Sequence, residues 1–304
     1  MNSIFASILR KIVRQLPPEA RIDFGLGLVG QSSKEISLEE LNKLISKLEL
    51  LQLSVEDFER ILKNPKAKVQ NWENETSAFK LEYAIMDVQA PWLKMQPKHF
   101  NVPGMITGEE ICYYHYIAQA YSGWGEIVEL GPWLGHSTLH LTDAFSKNSN
   151  FKDKKLHVFD DFIWRSAWMD PLYSEANRPH NHNDFRFIFE KYAAEAMDKL
   201  IINHGKFANF DGNENLPFVT WENKPIEMII VDCGRTLEAN NGWYNIFSKN
   251  FVPNRTLIIM QDWRQHRERP RKFFNQTLEF SRRKPNLELI HEISDGGLAT
   301  FLYR

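Results

Sequence analysis

The chain has little cysteine, little net charge and no continuous apolar run at its start, and each shortage removes a class of protein. Only two cysteines, Cys112 and Cys233, occur in 304 residues, both beside apolar or aromatic neighbours. A disulfide framework is thereby excluded, and a reducing cytoplasm is the expected compartment. A formal net charge of -2 provides no global positive field, so small molecules rather than nucleic acid are the expected partners. The first sixteen residues carry apolar side chains at helical spacing (Ile4, Phe5, Ile8, Leu9, Ile12, Val13) with Arg10, Lys11 and Arg14 between them. That pattern is neither a signal peptide nor a transmembrane span. A basic amphipathic helix can rest on an anionic membrane surface, but docking on the protein itself or on a second subunit is the expected role, which leaves a homodimer open.

What is present is apolar and aromatic. The 21 Phe, 9 Trp and 9 Tyr within a 43% hydrophobic composition supply a core and argue against disorder for the bulk of the chain. Pro17-Pro18 ends the first helix, and Ser37 with Glu40 forms a capping-box pattern ahead of the stripe Leu38, Leu41, Leu44, Ile45 and Leu48. A second, shorter helix starts at Ser54, and residues 64–105 read as an irregular connection rich in Trp, Pro and Lys. Residues 1–104 are therefore expected to be a helical extension and connection, and residues 105–304 an α/β domain.

Within that domain Thr107 and Glu110 predict a capped helix running to about Tyr121. Short apolar runs at 126–130, 156–159, 200–202, 227–231 and 256–260 predict buried strands, with helical patterns at 137–145, 185–200 and 243–247 between them. This βαβ rhythm implies a parallel sheet with helices on both faces. At the end, 287–292 and 298–303 flank Asp295-Gly296-Gly297, a tight-turn sequence that predicts an antiparallel hairpin. Five parallel strands closed by such a hairpin resemble the Rossmann-like seven-stranded sheet of class I methyltransferases.

The stretch Val128-Glu129-Leu130-Gly131-Pro132-Trp133-Leu134-Gly135-His136-Ser137-Thr138 is an acidic strand end, a glycine turn and a helix start. Such a turn lets a ligand approach backbone N–H groups closely. It lacks the second and third glycines of G-x-G-x-x-G, so the dinucleotide fingerprint is not met. The pattern E-x-G-x-W-x-G-x-S-T is similar to the cofactor loop of the macrocin O-methyltransferase group, bacterial enzymes that methylate sugar hydroxyls on natural products. The resemblance implies S-adenosylmethionine as cofactor. It places Glu129, Gly131, Trp133, Gly135, Ser137 and Thr138 around the cofactor's methionine and ribose.

Phe159-Asp160-Asp161-Phe162 follows about one crossover later and is similar to the family's F-D-x-F. Asp160, with Asp161 beside it, is the expected acceptor for a ribose diol. Asn203 to Phe207, followed by Asp211 and Leu216-Pro217, is similar to a loop near which adenine lies, which adds Asp211 to the expected cofactor residues. The resemblance also implies a divalent metal such as Mg2+ held by strand-end acids. Asp232 and Asp262 match, but Gln261 stands where an Asp is expected and contributes only a neutral carbonyl oxygen. Should metal be absent, Asp232 is the expected general base, ahead of His136 and His266.

Aromatics from Phe162 to Met169 and the pair His180 and His182 suit a lid loop, with the histidines expected to be solvated. The basic run from Arg264 to Lys272 reads as a solvated helix start. The expected activity is methyl transfer to a hydroxyl of a sugar or other small metabolite. The competing expectations are an oxygenase related to cephalosporin hydroxylases and a non-catalytic scaffold whose metal site has decayed.

Overall fold

The computed structural model describes residues 90–176, 178–263, 274–293 and 297–304, together with a two-residue antiparallel pair, Ala67–Lys68 with Glu82–Tyr83. The expected helices before residue 64, the run Arg264 to Lys272, His266 and the turn at Asp295-Gly296 lie outside the described residues.

Seven strands form one sheet: β1 (Glu126–Leu130), β2 (Leu156–Asp160), β3 (Leu200–His204), β4 (Ile226–Val231), β5 (Leu257–Met260), β6 (Leu287–Glu292) and β7 (Ala299–Tyr303). Their order across the sheet is β3-β2-β1-β4-β5-β7-β6. β1 to β5 pair in parallel, whereas β7 runs antiparallel to both β5 and β6. The last strand therefore inserts beside β5, with β6 outside it.

Side-chain alternation explains why the strands read as continuous apolar runs. Ile127, Met228, Ile230, Leu257 and Ile259 enter one core, while Val128, Leu130, Ile229, Val231 and Ile258 enter the other. A sheet buried on both faces needs apolar residues at every position. The first face is covered by α1 (Gly108–Ile117), α2 (His136–Ser146) and α4 (Arg186–Tyr192), which contribute Tyr113, Leu139 and Phe189. The second is covered by α5 (Leu237–Phe247) and α6 (Phe274–Arg282), which contribute Trp243, Phe247 and Phe280. A short helix, α3 (Ser166–Met169), lies in the insertion after β2. Trp92 and Phe100 are buried in the first core, so the chain packs on the sheet from at least Trp92 onward.

The capping box at the head of α1 is present in full. The Glu110 N–H donates to Thr107 Oγ1 (3.2 Å), and the Thr107 N–H donates to Glu110 Oε2 (2.7 Å). Two helices differ from expectation. α4 ends at Tyr192 because Ala193 leaves helical geometry, and a 3₁₀ segment, Ala194–Lys199, continues to β3. α5 begins six residues before the expected start, at Leu237, after the N-cap Thr236, whose hydroxyl accepts the Ala239 N–H (3.1 Å). Asn240-Asn241-Gly242 depresses helix propensity there, but the Asn240 amide donates to Gly234 O and Thr236 O and anchors the turn.

Candidate functional site

The sheet order reverses between β1 and β4, and open α/β sheets bind ligands outside the carboxyl ends of strands at such a point. Gly131, just past β1, takes φ 82, and a Cβ there would lie 2.7 Å from the Asp232 carbonyl oxygen. Only glycine lets the β1 turn press this closely on the end of β4. Gly135 heads α2 at φ 89.

Backbone strain gathers at the same edge. Trp133 (φ 45), Phe162 (φ 49) and Asp262 (φ 58) follow β1, β2 and β5, and each is left-handed without being glycine. Such conformations cost of order 1–3 kcal/mol each and cluster at functional sites. Buried polar atoms gather there too. Tyr114 Oη, Trp133 Nε1 and Gln261 Oε1 have no hydrogen-bond partner among the described residues, although buried polar groups are ordinarily paired.

Several acids lie at this edge. Glu129 is buried and accepts from Ser137 Oγ (2.6 Å) and Thr138 Oγ1 (2.7 Å). Burial raises its pKa to about 7 against the effect of those two bonds. Both hydroxyl protons are thereby committed to Glu129.

Asp160 ends β2 and accepts the Phe162 N–H (2.6 Å) and the Trp133 N–H. Desolvation, then the neighbouring charge of Asp161, raises its pKa to about 8. A carboxylate offers about four acceptor sites, so a diol can still be taken.

Asp161 has no such capacity left. It accepts two bonds from Arg165 (3.1 and 2.6 Å), the Ile163 N–H (3.1 Å) and the Asn213 amide (2.9 Å). These bonds fasten the insertion to the strand end. The exposed carboxylate of Asp211 pairs with His182 Nε2 at 2.8 Å.

Asp232, just past the end of β4, keeps an exposed surface, yet the protein around it displaces enough water to raise its pKa, helped by the charges of Asp262, Glu110 and Glu129 and opposed by Arg235. His136 is not among these neighbours. Its ring packs against Gly104 and lies 5.0 Å from that of His140.

Residue patterns did not expose three participants. Glu110 was legible only as a cap, yet its Oε1 also accepts the Gly297 N–H (3.0 Å), and a Cβ on Gly297 would lie 2.7 Å from Asp262 Cα. Glu110 thus links α1 to the loop that carries Asp262. Tyr114 lies one helical turn further along α1, with a buried hydroxyl that feels Glu110, Asp232, Glu129 and Asp262. Arg235 pairs through Nε and one terminal nitrogen with Asp262. The i+4 spacing of Glu110 and Tyr114 was a usable signal once the helix was placed; Arg235 left none.

The insertion after β2 closes on itself, with Trp164 N–H donating to Asn183 O (2.8 Å) and Trp164 Nε1 to Asp170 (2.7 Å). Trp168 of α3 is 40% exposed and its ring lies 5.7 Å from that of Trp133. The insertion thus carries an aromatic face to the glycine turn. His180 is exposed, as expected.

The strand order with an inserted antiparallel β7 decides the architecture. The fold is that of the class I methyltransferases. No protein-family model matches the chain, and no curated protein sequence does. Solved structures similar to it include the O-methyltransferase TomG of Streptomyces achromogenes in complex with S-adenosylmethionine, at 13% identity over 66% of this chain and 81% of that one, TM-score 0.43. The SAH-bound Podospora anserina methyltransferase PaMTH1 shares 11% identity over 90% of this chain and all of that one, TM-score 0.42. CalS11, a TDP-rhamnose 3'-O-methyltransferase, shares 11% over 88% and 96%, TM-score 0.40. At these identities and TM-scores the likenesses carry no argument about activity.

The metal expectation is not met by the side chains. Gln261 is neutral, Asp262 is paired with Arg235, and among the described residues no group of three His, Cys, Asp or Glu side chains is placed to hold a metal ion. No helix among them is long and apolar enough to cross a membrane.

Proposed function

We propose that the carboxyl edge of the sheet binds S-adenosylmethionine and transfers its methyl group to a hydroxyl of a sugar or another small metabolite. The observation that carries this reading is the gathering of acids at this edge. Glu129, Asp160 and Asp232 have raised pKa values at a glycine turn on the switch point. Carboxyls crowded in this way are stabilised in their ionised form by a positively charged ligand, and this cofactor bears a sulfonium and an ammonium group. Asp160 is placed to accept the ribose diol, and the aromatic ring of Trp133 to cover the sulfonium side.

When bound, the cofactor supplies a methyl carbon on a positively charged sulfur, which departs as a neutral thioether. The chain's own task is to orient the acceptor oxygen in line and to remove its proton. Asp232 suits the second task, since its raised pKa makes it a stronger base than an ordinary carboxylate once it is ionised. The paired rings of Trp168 and Trp133 would help exclude water from the glycine turn.

The test is calorimetric titration of metal-stripped full-length protein with S-adenosylmethionine, repeated on Asp160→Ala. Saturable binding is expected, weakened roughly tenfold or more by the substitution. Absence of binding to the unsubstituted chain would sink the methyl-transfer reading and favour a scaffold role.

A further inference from the structure

We propose that Arg235 is the built-in cation of this site, its guanidinium standing where a divalent metal would join Asp232, residue 261 and Asp262. The proposal rests on reading this edge as the methyl-transfer site.

Asp232 follows β4, and Gln261 and Asp262 follow the adjacent β5. The ladder continues past both strand ends, with Asp232 N–H donating to Leu130 O (2.8 Å) and Gln261 N–H to Val231 O (2.9 Å). Three side chains thus reach one edge in register, the placement from which strand-end carboxylates share a hard cation. Two features of the chain close that option. Residue 261 brings a buried amide oxygen without charge. Arg235, in the turn between β4 and α5, reaches across to Asp262 and also acts on the charge of Asp232.

The arginine is held by its surroundings. Its carbonyl accepts from Thr277 Oγ1 (3.3 Å), the next residue caps α5, and the left-handed turn at Asp262 presents the carboxylate to it. A guanidinium is permanently charged, and here the two prongs of its planar fork converge on one carboxylate oxygen, Asp262 Oδ2. A metal would have to displace that fork and accept a neutral amide in place of a third carboxylate, so the fixed charge is favoured over the exchangeable one. Arg235 is still partly open to solvent, with 44% of its side chain exposed. Its second terminal nitrogen makes no hydrogen bond among the described residues and is available to an acceptor oxygen.

Manganous ion, followed by its electron paramagnetic resonance signal, serves as the probe for a hard divalent cation. Titrated into the metal-stripped full chain, it is expected to keep the signal of the free ion. The double variant Arg235→Ala, Gln261→Asp is expected to take up about one ion per chain. Stoichiometric uptake by the unsubstituted protein that Asp262→Asn abolishes overturns the proposal, and that arm needs no variant fold beyond a conservative amide. Failure of a double variant with an unchanged circular dichroism spectrum to take up the ion overturns it as well. S-adenosylmethionine binding is measured in parallel on every protein. If the cofactor binds none of them, the methyl-transfer reading fails while the metal result still decides the role of Arg235.

Discussion

Glycine 131 shows how one residue sets the site. Its positive φ and the 2.7 Å approach to the Asp232 carbonyl leave no room for a side chain. Gly131→Ala is expected to cost about 2–4 kcal/mol through left-handed strain plus a backbone clash. Denaturant unfolding measures this, and a change within experimental error would show that the two strand ends separate freely. At this scale the sequence was only half informative. Glu129, Gly131, Asp160 and Asp232 were identifiable from their places after apolar runs, and all four reach the same edge. Ser137, Thr138, Asp161 and Asp211 share the same motifs, yet their polar atoms are taken by Glu129, Arg165 and His182. Motif spacing fixes where a side chain starts; which partner saturates it depends on neighbours distant in sequence.

At the level of elements, α1 joins local and distant structure through one carboxylate. Thr107→Ala removes the cap alone and is expected to cost about 1 kcal/mol. Glu110→Ala also leaves the buried Gly297 N–H without its acceptor, and is expected to cost about 1–3 kcal/mol more. Urea unfolding of the two variants tests the difference; equal losses would mean that Glu110 acts only within the capping box. The box was plain in the sequence because capping is local chemistry. The link to the β6–β7 hairpin was not, because it joins residues 187 positions apart. The early start of α5 was hidden for the converse reason, since tertiary anchoring of Asn240 outweighs the weak propensity of its neighbours.

Across the whole molecule, the acids at the sheet edge link stability to pH. Glu129 (about 7) and Asp160 (about 8) sit above the unfolded value of about 4. The folded chain therefore holds more protons than the unfolded one. The stability these groups contribute is fully present below the unfolded pKa and is lost as pH rises through about 7 to about 8. The Tm of the ligand-free protein is expected to fall between about pH 6 and about pH 8.5, and S-adenosylmethionine to flatten the decline by favouring the ionised acids. Thermal unfolding with and without the cofactor at several pH values checks both, and a Tm that rises over this interval would contradict the account. By itself the sequence determined the strands, the helices between them and the terminal hairpin, because period-two and helical patterns, caps and turns are decided within a few residues. It also marked the glycine turn and the strand-end acids. Tertiary structure alone decided that β7 inserts beside β5, that Glu110 reaches Gly297, and that Arg235 pairs with Asp262. Each of these depends on which distant segments come to share an edge, and burial and charge pairing between such segments leave no local periodicity.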